Sequence, residues 1–236
     1  MNKEAIIAKI GNDVYSSRHF QEWYTSLNNA GHQLLNIKSV EWVKRINNFP
    51  LFIALHIEVN VRGENRIKNN EVVIIRPTTA HCIVWCENND PALDEIIVVR
   101  EYRTPVMNPK GFVYELPGGS SFNPNKDMRQ VMKDELKEET GLDISLERFE
   151  LIGGAQSAPT IIANRTILFG IKLSFMEMQY VKQQLNSVHG NFSESEITTL
   201  KIKHRSDIMD IRNEHYGWDI RGMISSAIPV QFNYEY

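Results

Sequence analysis

Gly118-Gly-Ser-Ser-Phe-Asn-Pro-Asn-Lys-Asp-Met-Arg-Gln-Val-Met-Lys-Asp-Glu-Leu-Lys-Glu-Glu-Thr-Gly-Leu142 is the stretch whose reading decides the fold. A loop rich in Gly, Ser and Asn gives way at about Asp127 to a helix, and Gly141 stops it as a left-handed C-terminal cap. At ~100° per residue, Glu135, Glu138 and Glu139 fall at about 0°, −60° and +40°, so they share one face. Met128, Val131, Met132 and Leu136 fall at about +20°, −40°, +60° and +100°, on the same side. Arg129, Gln130, Lys133, Asp134 and Lys137 take the opposite half. A charge run is usually a solvated helix face, but these glutamates extend the apolar, inward-looking stripe. Three neighbouring inward carboxylates repel one another and are costly to desolvate unless protons or a cation offset the charge. A hard divalent cation with oxygen ligands, Mg²⁺ or Mn²⁺, does so most simply and completes its shell with water and substrate phosphate.

On either side of this helix the chain alternates short apolar runs with turns. His81–Cys86, Ile96–Tyr102, Phe112–Leu116, Leu151–Gly153, Thr166–Leu173 and Thr198–Ile202 read as strands, with weaker helices over Glu177–Leu185 and around Ile208–Arg212. Strands, a central helix and more strands predict an α+β fold, an α/β/α sandwich with a mixed sheet. Residues 1–70 read as an extension to this domain at 71–236. Within the extension, Phe20, Trp23, Tyr24 and Leu27 recur at helical spacing, and a second amphipathic helix is expected around Val40, Trp42 and Val43. Phe49–Val59 reads as a strand whose near-contiguous Leu51-Phe-Ile-Ala-Leu55 is too apolar for one face to lie in water. Either the helical segment covers the second face, or a symmetric second copy of the chain does.

Composition narrows the partners. Lys and Arg total 26 against 29 Asp and Glu, a net charge of −3, so no global positive field favours nucleic acid or an anionic membrane. No apolar run is long enough to span a bilayer, and no signal peptide is evident, so a cytoplasmic protein is expected. Cys82 and Cys86, four residues apart on one strand, lie roughly 13 Å from each other, too far for a disulfide, and read as two buried thiols.

Glu135-Leu-Lys-Glu138-Glu139-Thr-Gly141-Leu142, preceded by Gly119, resembles the signature of the Nudix hydrolases: Gly, five residues, Glu, seven residues, then Arg-Glu-aliphatic-any-Glu-Glu-any-Gly-aliphatic. Ile97-Val-Val-Arg-Glu-Tyr-Arg103 and Tyr114-Glu-Leu-Pro-Gly-Gly119 resemble the strand and loop that lead into the box in the ADP-ribose pyrophosphatase branch. The resemblance spans about Glu71 to Asp207. There are two departures. Six residues, not five, separate Gly119 from the position of the first Glu, which holds Lys126, and Asp134 stands where the family has Arg. Lys126 and Asp134 keep the family's separation of eight, so an ion pair with exchanged charges is expected. Asp134 has no N–H with which to steer the neighbouring glutamate as that Arg does.

The resemblance implies metal binding by Glu135, Glu138, Glu139 and the carbonyl of Gly118. It also implies Mg²⁺-dependent hydrolysis of a nucleoside diphosphate linked to another group, most simply ADP-ribose or a nucleotide sugar. The general base is then Glu135, or Glu194 or Glu196 from a later acidic segment. Pro159 lies close to where the branch carries a substrate-binding proline. Arg103, just after an apolar strand, is a candidate phosphate or ribose contact, with a surface salt bridge as the alternative. Glu115 either binds an outer metal or braces the site, and Gly119 permits close backbone approach to metal or phosphate. Trp218 is a base-stacking candidate or a packed aromatic. Pairing through N-terminal strands, common in this branch, makes a homodimer a possible assembly. The competing reading is a non-catalytic nucleotide sensor on the same fold, to which Lys126, Asp134 and the extension would belong.

Overall fold

The computed structural model describes residues 1–121, 123, 126–190 and 197–228. These form two compact units. The first is Met1–Thr79 with contributions from around Ser120 and from Ala155–Thr166, and the second takes in the remainder. No helix among the described residues is long and apolar enough to cross a membrane.

The first unit opens with α1 (Lys3–Ile10), α2 (Asn12–Ser16) and α3 (Arg18–Asn29), then enters β1 (Gln33–Ile46), β2 (Phe49–Val61) and β3 (Arg66–Ile75). β1 and β3 flank β2, both antiparallel to it, and Ile162–Ala163 later adds a parallel edge to β3. Asn47 and Asn48 make the β1–β2 turn at φ 48° and 64°, left-handed values that Asn tolerates better than most residues. β1 replaces the second helix expected around Val40. Its ladder slips between Leu34 and Asn36, Ile37 and Ser39, and Val40 and Trp42. Each slip inserts a residue, so the buried Leu34 and Ile37 stand three apart and imitate helical spacing. The expected boundary near residue 70 also moves, because Asn70 lies inside β3.

β2 alternates cleanly. Leu51, Ile53, Leu55, Ile57 and Val59 are buried, and the core they join includes Ile6, Ile10, Val14 and Phe20 from the three helices. The helical cover expected of the N-terminal segment is therefore present, on one face. On the other, Phe52 stacks on Trp42 at 6.1 Å and lies under the Arg76 guanidinium at 5.1 Å.

The second unit is built on β4 (Thr79–Cys86), β5 (Glu95–Tyr102), β6 (Phe112–Glu115), β7 (Gly118–Ser120), α4 (Met128–Thr140) and β8 (Glu150–Ala155). After β9 (Ile162–Ala163) come β10 (Thr166–Lys172), α5 (Phe175–Lys182), β11 (Val188–His189), β12 (Thr198–His204), α6 (Arg205–Met209) and α7 (Trp218–Ala227). The sheet runs β11-β12-β5-β4-β10-β8, with β6 on β5 and β7 on β4. Alternation along β4 and β5 sends Cys82, Val84 and Ile97 to the face that packs α4 and α5, and Ile83, Ile96 and Val98 to the face that packs α6 and α7. This is the expected α+β class, with helices on both faces of a mixed sheet. Both cysteines are free and buried, and burial pushes the Cys82 thiol pKa well up.

Candidate active site

The carboxylate helix α4 runs as its sequence dictates. Asp127 caps its start by accepting from the Arg129 N–H at 3.3 Å, and Gly141 ends it at φ 74°. Val131, Met132 and Leu136 sink into the core, and Glu139 goes with them, only 3% exposed. Glu135 is half-buried, whereas Glu138 is exposed rather than inward. The three glutamates span about 100° of arc, and Glu138 falls at its margin, past the edge of the apolar stripe.

Glu139 stays buried because its charge has a donor: the Gly118 N–H gives a hydrogen bond to Glu139 Oε2 at 2.8 Å. The Gly118-Gly119 pair is pressed onto the helix and onto β4. A Cβ at Gly119 would lie 2.5 Å from Glu135 Cδ, and one at Gly118 would lie 2.7 Å from His81 Nδ1. At Gly118, where a Cβ would also lie 2.3 Å from the Ala80 carbonyl oxygen, glycine is required for close approach; at Gly119 a Cβ would displace only the movable end of Glu135. Lys126 and Asp134 form the exchanged ion pair at 2.5 Å. The Lys126 hydrogen bond comes first in holding the Asp134 carboxyl below the usual carboxylate range, and Gln130 adds another at 2.8 Å.

At the end of β5, Arg103 donates to Glu115 through Nη2 at 2.7 Å and Nε at 3.1 Å, and the same Nη2 lies 2.7 Å from the buried Glu101 carboxylate as an ion pair. The guanidinium is engaged by two carboxylates, the buried Glu101 and the half-buried Glu115. Glu101 was not singled out in the sequence, although its spacing of two from Arg103 on one strand placed the pair on a common face. Pro159 belongs to the first unit, where it lines a cavity of about 370 Å³ together with Trp23, Ile57 and Lys68. Trp218, expected to stack or pack, is 77% exposed at the start of α7, with the Arg221 guanidinium 5.7 Å from its ring. Glu194 and Glu196 lie outside the described residues.

Among the described residues, no three His, Cys, Asp or Glu side chains converge closely enough to hold a metal ion. The donor chemistry nevertheless fits a hard cation: three carboxylates within one helical turn, one of them fixed and buried, beside a glycine loop with backbone oxygens to offer.

No family model matches the sequence, and no curated protein matches it. Among solved structures, one described as an ADP compounds hydrolase superposes with a TM-score of 0.51 at 16% identity, over 82% of this chain and 92% of that one. At that identity the likeness is one of fold. It covers more of this chain than residues 71–236 contain, so it reaches into the N-terminal extension, which the sequence resemblance left out.

Proposed function

We propose that the chain is a Mg²⁺-dependent pyrophosphohydrolase that splits a nucleoside diphosphate linked to another group, with ADP-ribose or a nucleotide sugar as the substrate class. The observation that carries this reading is the buried Glu139 carboxylate, gripped by the Gly118 amide in the middle of a Nudix-like string. The fold it shares with an ADP compounds hydrolase supports it.

Glu135, Glu138, Glu139 and the Gly118 carbonyl would hold Mg²⁺ or Mn²⁺. When bound, the cation lowers the pKa of a coordinated water and neutralises charge on the diphosphate oxygens. The rest of the chemistry belongs to side chains. Water oxygen attacks one phosphorus and the bridging P–O bond breaks. The water's proton passes to a carboxylate, Glu135 or one of Glu194 and Glu196. The products are a nucleoside monophosphate and the phosphorylated second group. Arg103 holds Glu101 and Glu115 in place, and Gly119 lets the loop approach Glu135 without a clash.

The test is a hydrolysis panel of ADP-ribose, nucleotide sugars, dinucleotides and nucleoside triphosphates with and without Mg²⁺, scored by product identity. Binding of a nucleotide with no product from any of them would establish the sensor reading instead. For assembly we propose a twofold pairing on the second face of β1–β3, where Trp42 remains 52% exposed beside β2. A one-chain mass by light scattering across micromolar concentrations would exclude it.

A further inference from the structure

We propose that Thr198 is a positioning residue for the metal-binding carboxylates, an inference that rests on the hydrolase reading above. An α-helix leaves the last four carbonyls without intrahelical partners. In α4, three of these acceptors find donors. The Gly141 N–H donates to the Lys137 carbonyl at 2.9 Å, the Gly190 N–H to that of Glu138 at 3.1 Å, and the Thr198 hydroxyl to that of Glu139 at 3.1 Å. The first is the ordinary glycine cap. The other two come from the β11–β12 hairpin, about fifty to sixty residues further along the chain, and they land on two consecutive residues, both of them assigned carboxylate ligands.

Glu139 is thereby held at both ends. Its carboxylate accepts from Gly118 on β7, and its carbonyl accepts from Thr198 on β12. Thr198 is 0% exposed, so no water can replace its hydroxyl. The helix's last turn is where a small rotation would swing Glu138 and Glu139 relative to Glu135. Fixing the Glu139 carbonyl to β12 and that of Glu138 to the residue just past β11 restrains this rotation. Groups behind metal ligands act in this way, setting the orientation of ligands they do not themselves replace.

Thr198→Val removes the hydroxyl and keeps the shape. We expect it to weaken Mn²⁺ binding, read by electron paramagnetic resonance titration of the full chain, by about tenfold. With ADP-ribose or whichever compound the panel identifies, kcat should fall while KM for the nucleotide stays within about twofold, since the change orients metal ligands and touches no substrate group. Thr198→Ser, which returns the hydroxyl, should restore the affinity, and Thr199→Val, on the opposite side of the same strand, should leave it unchanged. If Thr198→Val does not fold by circular dichroism, Thr198→Ala removes the same donor and is measured instead. Wild-type Mn²⁺ affinity in the hydroxyl-deleted variant overturns the inference and leaves the hydrolase reading standing. Failure of the wild-type chain to bind Mn²⁺ at all overturns both.

Discussion

Both units bury hydroxyls, but among the described residues only the second buries side chains that carry a full charge at pH 7. In the first, the buried polar side chains among the described residues are Ser17, His19, Thr79 and Thr166: three hydroxyls and an imidazole that burial drives down to a pKa of about 4, hence neutral at pH 7. In the second, Asp94, Glu101, Glu139, Arg205 and Arg221 are all buried. Burying an ionised group is costly unless partners compensate, and each of these has them. Glu139 has the Gly118 amide, Glu101 has Arg103, and Arg221 donates to the carbonyls of Ile208, Asp210, Asn213 and Tyr216. Arg221 and Arg205 act as structural staples at the C-terminal end. Glu139 and Glu101 stand at the carboxylate helix and beside the glycine loop's strand. The first unit is held by packing; the second adds buried charge, part of it structural and part of it, Glu139 and Glu101, at the candidate site.

Two substitutions should separate these roles. Glu139→Gln removes the buried charge without changing volume, and Mg²⁺-dependent turnover is expected to drop by ~10³-fold or more while the denaturation midpoint stays close to wild type. Full activity in that variant would sink the metal assignment. Phe20→Ala removes a fully buried ring that contacts Tyr15, Trp23 and Tyr24 in the first unit. It should cost about 3–5 kcal/mol by urea denaturation, with turnover per folded molecule unchanged. A large loss of turnover in the folded fraction would show that the first unit takes part in the chemistry.

The contrast between the units also governs how much could be read from the chain. Helix α4 was legible to within a residue at either end because periodicity, the Asp127 cap and the Gly141 stop agree, and β4, β5 and β6 because their runs are short and bounded by turns. β1 was misread because bulges gave its buried residues a helical interval. α7 was missed although Ile220, Met223, Ile224 and Ala227 stand at helical intervals, and these are the residues that join its core. The Lys126–Asp134 pair followed from the resemblance, whose separation of eight these two residues keep with the charges exchanged. Glu138 was placed inward by the wheel, yet a wheel orders residues by angle without saying where the stripe ends. Thr198 carries no sequence signal at all, because its partner is a main-chain carbonyl fifty-nine residues away.

A smaller effect should appear in the pH dependence of the first unit. His19 is buried beside Phe49, at a ring separation of 5.7 Å, and desolvation lowers its pKa from 6.5 to about 4, with the Pro50 carbonyl pulling weakly the other way. Between those values the unfolded chain binds a proton that the folded chain refuses. Stability from this group is therefore complete above about pH 6.5 and falls as the pH drops toward 4, with a slope of at most ~1.4 kcal/mol per pH unit. His19→Gln should flatten that part of a urea-denaturation series. An unchanged slope would mean that His19 protonates in the folded state.

The smallest effect concerns the exchanged pair, and it tests whether the site helix tolerates reversed polarity. Lys126 and Asp134 meet at 2.5 Å but both side chains are partly exposed, so screening limits the coupling to below roughly 1 kcal/mol. Asp134 is held below its ordinary pKa first by the Lys126 hydrogen bond. A depressed carboxylate stabilises the fold above its unfolded pKa of 3.8 and loses that contribution as the pH falls through the folded value. A double-mutant cycle with Lys126→Glu, Asp134→Arg and the two together should show each single change destabilising and the double change recovering most of the loss near pH 7. Both single changes place like charges side by side, and the double change rebuilds the pair in the orientation of the signature this helix resembles. It also gives position 134 a guanidinium next to Glu135, so turnover in the double variant should equal or exceed wild type. Additive losses of stability would show that the two side chains do not interact in solution. A double variant that recovers stability but not turnover would show that the reversed polarity itself is part of how this chain sets Glu135.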